Sequence, residues 1–417
     1  MGSMLRFNLK HLRNNFGIER VVETGTGMGN SLAWAAQAGF AELHSVEMVE
    51  KLHSACKQRF AGQAQIHLEE GSSCDFLQHF STGKQQPTLY FLDAHFSGGA
   101  DFGLTSYISS AQAEDSFPLL DELDVLLAND LSGCIIIIDD IRMYFEGSFQ
   151  TGVCPEFARR WQEQAALIAR VDRLKDTHTA YLLREDEGYL VIAPKEKPLD
   201  RSSWLMIRPH DNSGQLSYRP GVPGVTAISV QRRVQDSRFA TRYFVGNGID
   251  VGGGGDSLAL YREFFPLAKN IFVYDRPHGD AQLLANVADN SFDFLYSSHC
   301  LEHLRDPAEA LHHWLRVVRP GGHLIINVPD EDLYEQGVWP SRFNSDHKLT
   351  FTIAKAESWS PVSVNVLDLL GQFRQHAEVI TLQQLDHGYR HKTLPQGLDQ
   401  TRTPMAECGI EFVLRKR

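Results

Sequence analysis

The 417-residue sequence has no pair of cysteines in a C-x-x-C arrangement and no short Cys/His spacing of the kind that makes a zinc site. Structural zinc sites of the finger type use such spacings, so this class of small metal-stabilised fold is excluded. We interpret the cysteines as reduced thiols of a cytoplasmic protein. The six are Cys56, Cys74, Cys134, Cys154, Cys300 and Cys408.

Long apolar segments are also missing. No apolar run exceeds Cys134–Ile138 in length, whereas a membrane helix needs roughly 20 such residues. The first residues lack the charged and then apolar pattern of a secretory signal. We therefore expect a cytoplasmic protein without a membrane span, and we interpret residues 1–3 as an expression remnant in front of a native Met4.

Basic residues are in the minority. The sequence contains 40 lysines and arginines against 52 aspartates and glutamates, which gives a formal charge of −12. Because nucleic-acid binding depends on Lys and Arg side chains that contact phosphates, we expect no nucleic-acid partner. With 42% apolar and 22% charged residues, the composition is that of a globular protein. At about 150 residues per domain, the length predicts two or three domains.

One arrangement occurs twice in the chain: a short apolar strand, a glycine-rich turn and a helix-like segment. In the first half Glu23 ends the strand and Thr-Gly-Thr-Gly-Met-Gly follows; in the second half Asp250 precedes Val-Gly-Gly-Gly-Gly. These two acids lie 227 residues apart, and the acids that end the next predicted strands, Glu47 and Asp275, lie 228 residues apart. Two pairs of corresponding acids with nearly the same separation predict an internal duplication of a domain of about 200 residues.

The later segments of each half fit the same plan. Continuous apolar runs at Thr88–Leu92 and Ile135–Ile138 predict central parallel strands that are covered on both faces. We predict an α/β protein with two tandem Rossmann-like doubly wound sheets, each with a terminal antiparallel hairpin. The predicted domains are residues 1–199 and 200–417, with the boundary near Pro198 to Asp200.

The glycine turns indicate a ligand. A glycine-rich turn between a strand and a helix lets backbone N–H groups approach a ligand closely, and an acid on the next strand can bind a ribose. This combination suits a dinucleotide or S-adenosylmethionine. The dinucleotide fingerprint has a third glycine where this chain has Asn30 and Ser257. An acid that ends the first strand, Glu23 or Asp250, instead favours S-adenosylmethionine.

These residues resemble the first two motifs of class I S-adenosylmethionine-dependent methyltransferases. Three runs of the second half extend the resemblance: Asn290–Asp293, Ser297–His303 and Arg319–Gly322. The resemblance implies S-adenosylmethionine as the cofactor. The binding residues that it implies are Glu23, Gly25, Gly27, Gly29, Ser31, Glu47 and Ser72 in the first half, and Asp250, Gly252, Gly254, Asp275, Asp280 and Ser297 in the second.

The second half departs from the methyltransferase pattern in two ways. Asp256 stands where the third glycine of the turn is usual, and only 18 residues separate Asp275 from Asp293. The segment between Asp275 and Asp293 is too short for a full helix and strand. We therefore expect Asp280 to supply the acid that usually contacts the adenine side.

Acidic residues follow two neighbouring strands of the first half. Asp93 ends one strand, and Asp139 with Asp140 ends the next, so all three lie side by side above a parallel sheet. Three carboxylates repel one another unless a cation joins them, and oxygen ligands suit Mg²⁺. Such a metal can hold two oxygens of a sugar diol and lower the pKa of one. His95 is the predicted base.

This aspartate pattern is similar to that of metal-dependent sugar O-methyltransferases of macrolide and aminocoumarin pathways. Asp93, Asp139 and Asp140 match that family's metal ligands, whereas His95 replaces its second strand-end acid. Residues 96–117, rich in Gly and Ser, are a candidate acceptor lid. In the alternative interpretation Asp139 caps a helix, His95 makes a structural hydrogen bond, and the lid is a surface loop.

The second half lacks this carboxylate cluster. His303 or His299 is its candidate base, or else packs in the core. The aromatic and polar residues 329–335 and 339–348 could stack on a sugar ring or form an ordered lid. They resemble a segment of methyltransferases encoded among surface-polysaccharide genes.

The favoured hypothesis is a two-module O-methyltransferase. Its acceptor is a hydroxyl of a sugar, glycan or glycosylated small molecule; the first module uses Mg²⁺ and the second does not. In one alternative the second half is a non-catalytic module that binds the acceptor or mediates dimerisation. A homodimer is therefore a possible partner arrangement of this chain. In another, less favoured alternative the chain is a nicotinamide oxidoreductase.

Overall fold

The computed structural model describes residues 3–80, 86–94, 117–154, 156–209, 211, 224–390, 397–402 and 406–417. It divides into two compact units, Met1–Met206 and Ile207–Arg417, here called the first and second unit. The division falls a few residues after the boundary that the sequence predicts. The separate roles assigned to the two parts stay predictions.

A seven-stranded sheet forms the centre of the first unit, in the order β3-β2-β1-β4-β5-β7-β6. The first five strands of the chain are parallel, and β7 runs antiparallel to β5 and to β6. The strands are β1 (Arg20–Thr24), β2 (Glu42–Glu47), β3 (Ile66–Glu70), β4 (Thr88–Leu92), β5 (Ile135–Ile138), β6 (His178–Leu183) and β7 (Tyr189–Pro194).

Helices cover this sheet because its middle strands have no polar face. Every residue of β4 and of β5 is buried, as expected for central parallel strands. The helices are α1 (Leu9–Phe16), α2 (Asn30–Gln37), α3 (Glu50–Arg59), α4 (Ser73–Gln78), α5 (Leu119–Leu127), α6 (Gln164–Val171) and α7 (Arg201–Trp204).

The second unit contains a six-stranded sheet with the order β14-β15-β11-β10-β8-β9, and a small sheet of β12 and β13. Its helices are α8 (Val225–Arg233), α9 (Pro307–Val317) and α10 (Val366–Gly371). Its strands are β8 (Gly246–Val251), β9 (Ala268–Tyr274), β10 (Phe292–Ser298), β11 (Val318–Pro329), β12 (Thr350–Thr352), β13 (Ser363–Asn365), β14 (Ala377–Leu385) and β15 (Gly409–Lys416).

The two large sheets share one strand order except at one edge. Strands β8, β9, β10, β11, β15 and β14 take the places of β1, β2, β4, β5, β7 and β6, and no described strand follows β9 at the edge. Between Tyr274 and Phe292 the chain forms only turns and a short 3₁₀ segment, Arg276–His278. The prediction of two doubly wound α/β sheets with terminal antiparallel strands is confirmed. The expected helix after the second glycine turn is instead a kinked 3₁₀ segment, Leu258–Phe264.

A buried ion network joins α8 to β15 in the second unit. The side chains of Arg233 and Glu411 are both 0% exposed, and their closest atoms are 2.6 Å apart. Arg232 donates to the same carboxylate at 3.0 Å and to Glu407 at 2.8 Å. Burial opposes the ionised form of Glu411, but the two arginines outweigh it and hold the pKa of this carboxyl at about 2.

Two further observations bear on the chain as a whole. None of the described helices combines the length and apolarity that crossing a bilayer requires. All six cysteines are free thiols.

Candidate functional site

The first glycine turn connects β1 to α2. Gly25, Gly27 and Gly29 have positive φ angles of 82°, 53° and 73°, a conformation that residues with a Cβ rarely adopt. A Cβ added to Gly25 would lie 2.5 Å from the carbonyl oxygen of Asp93. Gly25 is therefore required for space as well as for conformation.

The carboxylate of Glu47, at the end of β2, lies against this turn. Its Oε2 accepts a hydrogen bond from the Gly27 N–H at 2.7 Å, and its Oε1 accepts from the Val49 N–H at 2.9 Å. Burial raises the pKa of the Glu47 carboxyl, although these backbone donors oppose the shift. Because each carboxylate oxygen can accept two hydrogen bonds, Glu47 retains capacity for a ribose diol.

Glu23 supports the turn from within the sheet. It is 1% exposed, and its Oε2 accepts from the Ser45 hydroxyl at 2.7 Å, which in turn lies 2.6 Å from the Thr26 hydroxyl. Burial raises the pKa of Glu23 to about 8. The chain of three side chains thus fixes Thr26, in the turn, to the strands beneath it.

Two other predicted cofactor residues have structural partners in the first unit. The Ser31 hydroxyl accepts from the Met4 N–H at 3.2 Å. Ser72 caps the N-terminus of α4 and accepts from the Asp75 N–H at 3.5 Å. Contact of either side chain with a cofactor stays a prediction.

The second glycine turn repeats the arrangement of the first. Gly252 and Gly254 have φ angles of 80° and 49°. A Cβ on Gly252 would lie 2.6 Å from that of Cys300, and a Cβ on Gly254 would lie 3.5 Å from Oδ2 of Asp275. In both units, therefore, the acid that ends the second strand contacts or borders the glycine turn that follows the first strand.

Asp250 fastens this second turn. Its Oδ2 accepts from the Ser257 hydroxyl at 2.6 Å and from the Leu258 N–H at 2.7 Å. Its Oδ1 is buried and has no hydrogen-bond partner among the described residues, and burial raises the pKa of the carboxyl to about 7. Ser297, on neighbouring β10, donates to the Val251 carbonyl at 2.9 Å.

The remaining acids around the second turn have defined partners. Asp275 accepts from the Arg276 N–H at 2.7 Å, and Asp280 forms an ion pair with Arg305 at 2.8 Å. Asp256, which replaces the usual third glycine, accepts from the Thr226 N–H at 2.7 Å at the start of α8. This contact gives a physical reason for the departure: Asp256 holds α8 beside the turn.

The aspartates of the first unit lie at the ends of β4 and β5. Burial and then the charges of Asp139, Glu23 and Asp140 hold the pKa of Asp93 well above its ordinary value. Asp140, at a φ of 49°, pairs with Arg142 at 2.8 Å. A hard cation such as Mg²⁺ would relieve this repulsion, but among the described residues these aspartates do not form a group of three whose ligand atoms lie within 4.8 Å of one another. Asp140 already has Arg142 as a partner.

A small pocket, partly open to solvent, lies beside these strand ends. Its only carboxyls among the described lining residues are those of Glu122 and Asp139, and the other walls are mainly apolar. The lining residues are Leu92, Ala94, Phe117, Leu119, Glu122, Ile138, Asp139, Met143 and Tyr144. His95, the predicted base, and residues 96–116 of the predicted lid lie outside the described residues.

In the second unit, Glu302, His303 and His347 offer three ligand atoms within 4.8 Å of one another. Oε1 of Glu302 lies 3.9 Å from Nε2 of His303 and 3.8 Å from Nε2 of His347. Burial raises the pKa of Glu302 to about 7. Burial, more than the neighbouring histidines, lowers the pKa of His299 to about 3, which makes His299 a weak base.

Two residues at this cluster are not predicted as site residues from the sequence. His347 and Glu335 belong to the predicted aromatic and polar loop, but they form a buried pair in which Nδ1 of His347 lies 2.7 Å from Oε1 of Glu335. The ring of Tyr334 stacks on that of His347, with centroids 5.3 Å apart. The signal in the sequence was a histidine and a glutamate in one segment, without a periodic spacing to link them to Glu302.

Comparison with known proteins is informative for the second unit. Residues 229–385 match the family model of a methyltransferase domain. This match covers the second glycine turn, Asp275 and the cluster at Glu302. No curated protein matches the chain in sequence.

Solved methyltransferase structures resemble part of the chain weakly. The S-adenosylhomocysteine-bound methyltransferase PaMTH1 of Podospora anserina is 16% identical, with a TM-score of 0.31 over 45% of this chain and 76% of its own. The O-methyltransferase TomG of Streptomyces achromogenes, solved with S-adenosylmethionine, is 15% identical, with a TM-score of 0.29 over 45% and 78%. An O-methyltransferase of Bacillus cereus is 15% identical, with a TM-score of 0.29 over 45% of this chain and 79% of its own. At these TM-scores the resemblance carries no argument about function.

The class of enzyme therefore follows from the domain match and the residues. The family model of a methyltransferase domain matches most of the second unit, and the glycine turn of that unit is bordered by the strand-end carboxylate that the sequence predicts. Together they support an S-adenosylmethionine-dependent methyltransferase, as expected from the sequence. The acceptor, the roles of the two units and the use of Mg²⁺ stay predictions.

Proposed function

We propose that the chain is a two-module O-methyltransferase that uses S-adenosylmethionine to methylate hydroxyls of a sugar, glycan or glycosylated metabolite. The observation that supports it best is the repeated pairing of a glycine turn with a strand-end carboxylate. Glu47 contacts Gly27 in the first unit, and Asp275 borders Gly254 in the second. Two such pairings favour two cofactor sites.

The proposed chemistry is an in-line displacement. The acceptor oxygen attacks the methyl carbon, the bond from carbon to sulfur breaks, and S-adenosylhomocysteine leaves. The protein orients the two reactants and removes one proton. In the first module Asp93 and Asp139 would hold Mg²⁺, which when bound lowers the pKa of an acceptor hydroxyl, and Asp140 would join them by exchanging Arg142 for the ion. His95 is the proposed base there, and His303 is the candidate base of the second module.

One observation favours a second candidate function for the second unit. Among the described residues its sheet has no counterpart of the edge strand β3 of the first unit, and Asp256 of its turn accepts hydrogen bonds from α8. A unit that has lost part of the fold around its cofactor turn could bind an acceptor or a second copy of the chain without transferring methyl groups. Counting cofactor sites separates the two functions.

We expect isothermal titration of S-adenosylhomocysteine into the full chain to show two binding events. Glu47→Ala should remove the first event and Asp275→Ala the second, because each loses the carboxylate that accepts the ribose hydroxyls. From one lost charge-assisted pair of hydrogen bonds, we expect affinity to fall at the altered site by about 10-fold to 100-fold.

Matched controls keep this titration interpretable. Glu42→Ala changes a half-exposed acid at the other end of β2, and Asp289→Ala changes an exposed acid before β10. Neither should alter binding. A single event in the wild type, lost in one variant only, would establish the non-catalytic alternative for the other unit. Tight binding of NAD in place of S-adenosylhomocysteine would overturn the proposed function.

A second expected result concerns Mg²⁺ in the first module. Asp139→Asn with Asp140→Asn, or chelation with EDTA, should lower first-module methyl transfer by about 100-fold or more, since metal activation of the hydroxyl is lost. Asp275→Ala should be present throughout so that only the first module is measured. Asp124→Asn, an exposed acid paired with Arg170, is the control. Unchanged turnover after both treatments would exclude the metal.

The acceptor is tested directly with labelled cofactor. Sugar nucleotides and oligosaccharides incubated with the protein should gain one or two methyl groups by mass spectrometry, at oxygen. Labelling of amines alone would contradict O-methylation. A homodimer stays a separate prediction, to be measured by sedimentation.

A further inference from the structure

The surroundings of Glu302 indicate a ligand that the proposed reaction does not use. Its side chain is fully buried, and neither carboxylate oxygen has a hydrogen-bond partner among the described residues. A carboxylate that loses its water and gains no partner is costly. By contrast Glu411, equally buried, contacts two arginines. No lysine or arginine in the described part of the chain pairs with Glu302.

Two imidazole nitrogens face this carboxylate. Nε2 of His303 and Nε2 of His347 lie 3.9 Å and 3.8 Å from Oε1 of Glu302. These separations exceed a hydrogen bond, which ends at about 3.2 Å. Ligand atoms bound at about 2.0–2.2 Å to one tetrahedral ion lie about 3.3–3.6 Å apart. All three ligand atoms lie within 4.8 Å of one another, so inward side-chain movements of roughly 1 Å would place them around one ion.

The other nitrogen of each ring has an oxygen partner. Nδ1 of His347 lies 2.7 Å from Oε1 of the buried Glu335. Nδ1 of His303 forms a hydrogen bond with the Asp346 backbone carbonyl at 3.2 Å and also lies 3.2 Å from Oδ2 of Asp346. A carboxylate on Nδ1 keeps the proton there and directs the Nε2 lone pair towards Glu302. Histidines that bind metal ions in proteins are commonly oriented by a carboxylate in this way.

The backbone brings the two halves of the cluster together. Glu302 and His303 belong to the short turn after β10, whereas His347 comes from the segment before β12. The N–H groups of Lys348 and Leu349 both donate to the Glu302 carbonyl, at 2.8 Å and 3.2 Å. The ligand atoms are thus fixed by main-chain bonds that do not depend on an ion.

We propose that Glu302, His303 and His347 bind one divalent transition-metal ion, with Zn²⁺ as the ion that suits them best. Two imidazoles and one carboxylate form a three-ligand set that leaves a further coordination position for water or an acceptor oxygen. His303 is then a metal ligand and not a base, because a nitrogen that binds a metal cannot take a proton. The second module would use a metal as well.

The test measures metal binding on the full chain without a histidine tag, and it does not require methyl transfer. After removal of metals with a chelator, the protein is titrated with Zn²⁺ by calorimetry and with Co²⁺ by visible absorption. We expect one tight site per chain with a visible Co²⁺ spectrum. Glu302→Gln, His303→Gln and His347→Gln should each weaken that site by about 100-fold or more, and Glu335→Gln by about 10-fold to 100-fold.

Controls separate a lost ligand from a lost fold. His312→Gln alters an exposed histidine of α9 whose ring contacts that of His313, and it should leave the site unchanged. Asp139→Asn with Asp140→Asn should also leave it unchanged, which excludes the acids of the first unit. Circular dichroism and thermal unfolding of each metal-free variant must match the wild type.

Two outcomes would overturn the proposal. In the first, wild-type protein binds neither Zn²⁺ nor Co²⁺, so that the space between the three side chains holds only water. In the second, binding persists equally in Glu302→Gln and His347→Gln. Titration with S-adenosylhomocysteine does not depend on either metal-binding result. Failure of the metal site therefore leaves the proposed function intact, and failure of the proposed function leaves the metal site intact.

Discussion

Replacing Glu411 with glutamine is expected to lower the free energy of unfolding of the second unit by about 3–5 kcal/mol, because it leaves Arg233 charged and buried without its counter-charge. Both side chains are 0% exposed in the wild type. Arg232 can turn towards Glu407, to which it already donates, but Arg233 has no such second carboxylate among the described residues. Urea unfolding followed by circular dichroism measures the loss.

The same pair predicts a dependence on pH. The pKa of Glu411 is about 2 in the folded protein against an ordinary value of 4.5. A lowered pKa contributes stability that is fully present above about pH 4.5 and is lost as the pH falls towards 2. The difference in unfolding free energy between wild type and Glu411→Gln should therefore narrow below pH 4.5.

Glu378→Gln is the matched control for Glu411. Glu378 also belongs to this sheet and pairs with Arg415 at 2.5 Å, but about half of each side chain is exposed. Exposed pairs contribute about 0–1 kcal/mol, so this variant should be nearly neutral. If the free energy of unfolding fell equally in both variants, the buried network would not be a main source of stability in the second unit.

Gly25→Ala is expected to weaken cofactor binding in the first unit by about 100-fold or more. The new Cβ would approach the Asp93 carbonyl oxygen to 2.5 Å, and both groups are backbone or attached to it, so the turn itself must move. A displacement of about 1 Å in a binding or catalytic geometry costs on the order of 100-fold. Calorimetric titration in the Asp275→Ala background isolates the first site.

Gly62→Ala separates the effect of space from that of conformation. Gly62 has a φ of 86°, close to the 82° of Gly25, but an added Cβ would meet nothing within 4 Å. Both variants carry the strain of a left-handed residue, about 1–2 kcal/mol. Only Gly25→Ala adds the collision. Equal cofactor affinity in the two variants would mean that the first turn is not a binding element.

The features that could be predicted from the sequence are those coded within a short segment. In each half the glycine turn is followed by a strand that ends in an acid. Corresponding acids of the two halves lie 227 and 228 residues apart, and this constant separation predicted the tandem architecture. The segment between Asp275 and Asp293 was predicted to be too short for a full helix and strand, and in the described part of the chain no strand follows β9 at the sheet edge. Each of these inferences needed only neighbouring residues and a known strand geometry.

The features that could not be predicted are pairings of polar side chains across long stretches of chain. Nothing near Asp256 in the sequence indicates that it caps α8, which begins about 30 residues earlier. His347 approaches Glu302 through main-chain bonds of Lys348 and Leu349 that only the fold creates. Rules based on periodicity and spacing describe one segment of sequence at a time. They therefore cannot predict contacts between side chains of distant segments.

The position of β15 also has a consequence for the order in which the chain is synthesised. The sheet of the first unit is complete once Pro194 has been made, so that unit can fold while the ribosome is still translating the second. In the second unit β15 pairs with both β11 and β14, and Glu411 neutralises an arginine made 178 residues earlier. Until residues 409–416 emerge, Arg233 has no counter-charge and two strands lack their shared neighbour, so the second unit completes its fold after the first.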